Sequence, residues 1–463
     1  MTSFTNVTFY EIEIGKTLTV SRTITRNDIE ALTFVSGDID EAHLDVEVGP
    51  DFVPSAEPVA AEAFISYLLN RRMPGPGTTI LAHDLKFEGR IVMGETCTAT
   101  ITAKEKRKGN VIVFDCLCTN QAGGIIASGT ATVSAPTKRI SYTDLATPEV
   151  IFRRTDVFAN LIRSCKGMPP VICAVVHPCD HDSLLGPLEA AKRNLIDPVL
   201  VGPEGKIREA ANAAGADISP YRIVDTEHSH AAAEKAVAMA RAGEVEALMK
   251  GSLHTDELMA SVVPSATGLR TARRISHVFI MDVPTYSRTL LLTDAAINIA
   301  PGLKEKVDIV QNAIDLAHVL GINEPNVAIL SAVETVNPDI PSTLEAASLC
   351  KMADRKQITG GILDGPLAFD NAVSEQAAKT KKIDSPVAGK ADILLVPDLE
   401  AGNMLAKQLQ YLAGADAAGI VLGTRVPIVL TSRADSVRTR LASITVMCLV
   451  ANARRKSEPG KTL

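Results

Sequence analysis

From about residue 150 onward, short apolar runs alternate with longer helical stretches. This rhythm restricts the fold more than any other feature of the chain. The runs at 171–177, 199–201, 247–249, 278–281, 290–292, 327–330, 362–363, 393–396 and 428–430 are rich in Val, Ile and Leu and too short for helices. Helical segments at 184–195, 231–241, 304–320, 343–353, 404–412 and 436–454 lie between or after them. Strands that are apolar throughout must be covered on both faces, so the pattern predicts mostly parallel sheets in an α/β arrangement. Ligands of such sheets sit beyond the carboxyl ends of the strands.

The first part of the chain follows a different pattern. Residues 78–87, 95–104, 111–119 and 124–133 alternate and are β-branched, with turn residues at Asn110, Gly123 and Gly124. A helical stretch at 59–72 precedes them and ends at Pro74-Gly75-Pro76-Gly77. One long helix followed by consecutive antiparallel strands predicts an α+β domain with the sheet wrapped round the helix. The expected organisation is a domain over 1–135, a linker over 136–150 and a second domain over 151–463. The linker is expected because that stretch is polar, aperiodic and contains Pro136 and Pro148.

Several function classes are disfavoured. The net charge of the 463-residue chain is -7, which argues against a basic nucleic-acid footprint. Aromatic residues make up 4% and Trp is absent, leaving little for stacking bases. No apolar run is long enough to span a bilayer, and the first twenty residues carry acids where a signal peptide needs an apolar core. A cytoplasmic protein is therefore expected, its eight cysteines reduced and without a CxxC pair. GxGxxG, GxSxG and HExxH are missing, and Gly202-Pro203-Glu204-Gly205-Lys206 has the wrong spacing for a phosphate loop. No metal site is expected, His177 and His181 included.

Two constellations carry chemistry. The first is Ser36-Gly37-Asp38-Ile39-Asp40-Glu41-Ala42-His43. A carboxylate and an imidazole at this spacing can share a water, remove its proton and return one to carbon; a solvated acidic loop with a surface His fits the same pattern. Together with the hydrophobic helix and PGPG, the segment resembles the MaoC-like (R)-specific enoyl-CoA hydratases over residues 5–135. The resemblance implies a hot-dog fold and hydration of trans-2-enoyl-CoA to (R)-3-hydroxyacyl-CoA. It places Asp38 and His43 on the catalytic pair and Ser66 on a binding position of the central helix. The chain departs from that family at Glu57-Pro58-Val59, where the family has His-Gly-Met and uses the Gly N–H as an oxyanion donor. Proline has no N–H. A non-catalytic hot-dog module for dimerisation or acyl-CoA binding is the alternative.

The second constellation is a set of polar clusters at predicted strand ends: Lys250-Gly251-Ser252-Leu253-His254-Thr255, Thr293-Asp294 with Asn298, Asp364-Gly365-Pro366, Asp398 with Asn403, and Thr431-Ser432-Arg433-Ala434-Asp435-Ser436. Each alone reads as a capping loop. Together they supply Ser, Thr, Asn, Arg and helix N-termini, which suit an anion such as phosphate. KGSLHTD, TDAAIN, GPLAFD, PDLEAGNMLAKQL and SRADS resemble the phosphate acetyl/butyryltransferases, in that family's order, over about 155–456. The resemblance implies two α/β lobes with the site in their cleft and a homodimer or higher homo-oligomer. It implies acyl-CoA and phosphate as substrates and no bound cofactor. It places Ser432 and Arg433 on the catalytic pair. The family's acetyl branch has an Asp seven residues after that Ser; here Thr439 stands there, and Asp435 is the nearest carboxylate for a base. Lys250, His254, Thr255, Asp294, Asn298, Asp398 and Asn403 are placed near the site.

Overall fold

A computed structural model describes residues 3–25, 28–29, 31, 55–56, 60–143, 157–431 and 435–456. The chain divides into two compact units, Met1–Arg154 and Thr155–Leu463.

The described strands of the first unit are β1 (Ser3–Thr5), β2 (Thr17–Thr23), β3 (Ser55–Ala56), β4 (Thr79–Phe87), β5 (Ile91–Val92), β6 (Thr96–Arg107), β7 (Val111–Thr119), β8 (Ile125–Ser134) and β9 (Ser141–Thr143). Five of them form an antiparallel sheet in the order β2-β6-β7-β8-β4. Gly109 and Asn110 close the β6–β7 turn with positive φ, a conformation open to Gly and tolerated by Asn. Helix α1 (Ala60–Arg71) lies on this sheet. Its buried residues Ala61, Ile65, Leu68 and Leu69 recur every three or four positions. They meet the inward residues of β6 (Cys97, Ala99, Ile101, Ala103), whose alternate neighbours face outward. Part of the expected linker belongs to this unit. β9 pairs with β1, and the Asn6 side chain donates to the Lys138 carbonyl (2.8 Å) and accepts from the Ile140 N–H (3.0 Å).

The second unit is built on strands β10 (Val171–Val176), β11 (Ile196–Gly202), β12 (Ile223–Asp225), β13 (Ala247–Lys250), β14 (Ser276–Asp282), β15 (Leu290–Thr293), β16 (Asn326–Leu330), β17 (Ile362–Leu367), β18 (Ile393–Leu395), β19 (Asp416–Leu422) and β20 (Ile428–Val429). They form one continuous sheet, β12-β11-β10-β13-β20-β19-β14-β15-β18-β16-β17. The sheet is mixed, which corrects the expectation of mostly parallel sheets in separate lobes. Its two flanks are parallel, but β19 runs antiparallel to both β20 and β14, and β14 antiparallel to β15. β19 opens on small residues, Asp416 to Gly419, and only its second half, Ile420-Val421-Leu422, has the residue types of a strand; with β14 it joins the flanks.

Helices α2 (Val157–Ser164), α3 (His181–Lys192), α4 (Glu204–Ala214), α7 (Leu303–Val319), α8 (Pro341–Asp354) and α12 (Val437–Lys456) cover one face. The other face carries two separate cores. One is packed by α5 (Ser229–Ala242) and α6 (Thr255–Val262). The other is packed by α9 (Phe369–Val373), α10 (Glu375–Thr380) and α11 (Leu399–Tyr411). All eight cysteines are free, and burial pushes the thiols of Cys116, Cys118 and Cys350 up to about 12. Among the described residues no helix is long and apolar enough to cross a membrane.

Candidate active site

The register of the central sheet brings the two flanks together end to end. Met249, Val429, Ile420, Val278, Thr293, Leu395 and Ile329 form one row across the strands. On one side of this row β13 and β20 run out into Lys250 and Leu430-Thr431. On the other side β15 and β18 run out into Asp294 and Val396. Carboxyl ends from both flanks therefore converge on the middle of the sheet, although the flanks run in opposite directions. Only β19 and β14 separate β20 from β15, a lateral gap of about 14 Å at ordinary strand spacing.

On the face with two cores, the break between them falls at β19 and β14. Ile275, just before β14, joins the α5/α6 core, while Phe279 and Met281 on β14 join the α9–α11 core. His277 lies between them. It is wholly buried, its ring packs edge-on against Phe279 at 4.4 Å, and neither ring nitrogen completes a hydrogen bond of ordinary geometry. Burial pushes the imidazole down to about 4, against a smaller opposing pull from the Leu430 carbonyl.

On the β10/β13/β20 side the ends are tightly tied. The Ser252 hydroxyl donates to the His177 carbonyl (2.8 Å) and accepts from the Cys179 N–H (3.1 Å). Gly251 is required here, because a Cβ would stand 2.5 Å from the Val176 carbonyl oxygen. His177 is held neutral to lower pH, first by burial and then by Lys206. Lys250 is buried, and its Nζ donates to the Leu253 carbonyl (3.1 Å). His254 is exposed at the N-cap of α6 and makes no side-chain cap, and the half-buried Thr255 opens the helix. That leaves first-turn N–H groups able to meet an anion.

On the β15/β18 side, the buried Asp294 carboxylate accepts from the N–H groups of Ala296 (3.0 Å), Ile297 (3.1 Å) and Asn298 (3.2 Å), and from Asn298 Nδ2 (2.6 Å). Burial raises its pKa despite these donors. Asn298 Nδ2 also donates to the Ile275 carbonyl (2.9 Å), and its Oδ1 accepts from Arg274 Nε (2.7 Å). Asp398 caps α11 through the Ala401 N–H (2.9 Å), and Asn403 Nδ2 donates to the Ala295 carbonyl (3.2 Å). Asp294, Asn298 and Asn403 thus form one turn-and-helix joint, to which Asp398 contributes the cap.

Asp38, His43, Ser432 and Arg433 lie outside the described residues, as does Pro58. The flanks of the 432–434 segment are described, and they show a residue that sequence reasoning missed. Arg440, buried on α12, donates from Nη1 to Thr431 Oγ1 (3.0 Å) and from Nε to the Asp435 carbonyl (3.3 Å). One guanidinium thereby holds both ends of the segment. Gly186 on α3 lets it pass, with a would-be Cβ 3.1 Å from the Arg440 side chain. Asp435 is half-buried; Thr439 hydrogen-bonds Ser436 (3.2 Å). In the first unit Ser66 is half-buried on α1. Among the described residues no cluster of His, Cys, Asp or Glu could hold a metal ion.

Residues 229–448 match the family model described as Phosphate acetyl/butaryl transferase. A phosphate acetyltransferase of Rhizobium meliloti is 64% identical over 301 residues, 65% of this chain and 95% of that protein. A phosphate butyryltransferase of Clostridium acetobutylicum is 43% identical over 64% of this chain and 98% of its own length. Among solved structures, a branched-chain phosphotransacylase from Enterococcus faecalis V583 is 31% identical with a TM-score of 0.53, over 60% of this chain and 99% of that one. With a relative this similar spanned almost from end to end, the chain belongs to the phosphate acetyl/butyryltransferase family.

Proposed function

We propose that the second unit transfers acyl groups reversibly between CoA and inorganic phosphate, and that the first unit hydrates trans-2-enoyl-CoA to the (R)-3-hydroxyacyl thioester. The observation that carries the first part is the 64% identity to a phosphate acetyltransferase spanned over 95% of its length. The convergence of Lys250, Thr431 and Asp294 on one seam of the sheet supports it. Phosphate attacks the thioester carbonyl. Arg433 holds the phosphate and the charge that develops, as a planar fork of donors can. Ser432 hydrogen-bonds the carbonyl oxygen or the departing thiolate. Asp435, the carboxylate nearest Ser432 in the sequence, serves as base for the thiol when the reaction runs toward acyl-CoA. Lys250, His254, Thr255, Asn298 and Asn403 shape the binding surface. The substrates are the CoA thioester and phosphate, with no bound cofactor, and the enzyme works as a homodimer or higher homo-oligomer.

For the first unit, the hot-dog reading rests on the helix-on-sheet topology and the SGD-x-x-x-x-H motif, with Asp38 and His43 as proton carriers and Ser66 at the acyl chain. Pro58 favours a second reading. A missing oxyanion donor typically costs about 10²–10³ in rate, which would leave a binding or dimerising module.

Two assays on the full chain test both parts. With butyryl-CoA, phosphate-dependent release of thiol is expected, falling at least 100-fold in Arg433→Met. With crotonyl-CoA, loss of enoyl absorbance is expected, abolished by Asp38→Asn. Thiol release without hydration establishes the second reading of the first unit. No phosphate-dependent release from butyryl- or acetyl-CoA overturns the transferase.

A further inference from the structure

We propose that the cavity between α2, α3 and α12 of the second unit is an effector site for a medium-chain carboxylate, whose binding lowers the turnover of the transferase. The site stands on its own geometry; its effect on turnover rests on the transferase reading above.

The cavity measures about 800 Å³, within the roughly 300–1,000 Å³ of small-molecule sites. Its buried lining is apolar. Phe158 of α2, Leu188 of α3 and Leu441 of α12 contribute to it, each under a tenth exposed. Along α3 the lining changes character. Leu185 and Leu188 come first, and Glu189, Lys192 and Arg193 follow at the end of the helix. Glu189 alone serves both cations, Arg193 at 3.0 Å and Lys192 at 3.9 Å. One positive charge is left over at this end, on side chains that solvent reaches. The other charged groups of the lining are engaged elsewhere. Arg438 pairs with Asp416 (3.1 Å), and Asp217 accepts the N–H of Ser219 (2.9 Å).

An apolar trough that ends in one surplus positive charge suits a molecule with an alkyl chain and a single negative charge. A phosphate dianion would exceed the surplus. The proposed reaction leads to the right class, because water cleaves an acyl phosphate into a carboxylate and phosphate.

Two walls of the cavity also hold Arg440. On α3, Gly186 lies between the lining residues Leu185 and Leu188, and a Cβ there would stand 3.1 Å from the Arg440 side chain. On α12, Arg440 directly precedes the lining residue Leu441, and it donates to Thr431 and to the Asp435 carbonyl. The α3–α12 separation that sets the width of the cavity therefore also sets the place of Arg440. Interiors are too closely packed for one to change without the other. An alkyl chain seated between these helices moves them apart and slackens the hold on Thr431.

The test uses the full chain, with octanoate as the probe. Calorimetric titration is expected to show one saturable site. Acetate lacks the chain and octylamine the negative charge, and neither is expected to bind. In K192E and in R193E binding weakens on the order of tenfold, as for one lost bond to a charged group. A216W sets an indole into the cavity from the connection after α4 and abolishes binding. All three variants keep wild-type thiol release from butyryl-CoA when octanoate is absent. Saturating octanoate lowers the wild-type kcat and leaves KM for butyryl-CoA unchanged, whereas a carboxylate competing for the acyl site raises KM. If A216W loses its urea transition, K192E and R193E, on exposed side chains, carry the test. No saturable binding, or binding as tight in the folded variants as in the wild type, overturns the site. An unchanged kcat in a chain that binds octanoate and releases thiol overturns the effect on turnover. A chain that binds octanoate with these losses but releases no thiol overturns the transferase reading and upholds the site.

Discussion

His277 illustrates how much a single buried residue can reveal. Its imidazole sits where two cores meet on the central sheet, and burial holds its pKa near 4, against about 6.5 in an unfolded chain. The unfolded chain therefore takes up a proton before the native one does. Stability is full above pH 6.5 and declines as the pH falls toward 4, by an amount on the order of 3 kcal/mol from this group alone. Urea midpoints measured from pH 7 to 4.5 should fall less steeply in His277→Met than in the wild type. Parallel slopes would show that the ring is solvated or paired in solution. Other residues read differently at this scale. Asp398 is a good N-cap by residue type, and it caps α11. Arg440 was not legible, because an Arg in an apolar helix reads as a surface position. Its burial follows from Gly186 on another helix, 254 positions away by number.

At the scale of elements, the helices and parallel strands of the second unit follow from local apolar pattern. β19 does not, because Asp-Ala-Ala-Gly opens the strand with small residues and leaves only Ile-Val-Leu to signal it. It is a strand because β14 and β20 offer it hydrogen bonds on both sides. The ends of β10 and β13 are set by close approach. In Gly251→Ala the new methyl would lie 2.5 Å from the Val176 carbonyl oxygen and 2.6 Å from that of His177. The two strand ends must part, at a cost of about 1–3 kcal/mol for overpacking. The expected result is a lower urea midpoint with an unchanged m-value, together with a raised KM for the CoA substrate. A variant as stable as the wild type would show that these ends have room to move.

At the scale of the whole molecule, the two units each have their own core, and the curated relatives described above cover under two thirds of the chain. Separating the chain between Arg154 and Thr155 should give two fragments that each unfold in one cooperative step. The second should keep phosphate-dependent thiol release at the full-chain level. Loss of that activity in a folded fragment would show that the first unit completes the site. The division into an antiparallel half and an alternating α/β half was legible because period and residue type are local properties. So were the polar clusters, because side chains that suit an anion can be read one by one. The direction of each strand and the row that brings opposing carboxyl ends to one seam were not. Each depends on which strand pairs with which, and pairing is settled by hydrogen bonds and burial between residues far apart in the chain.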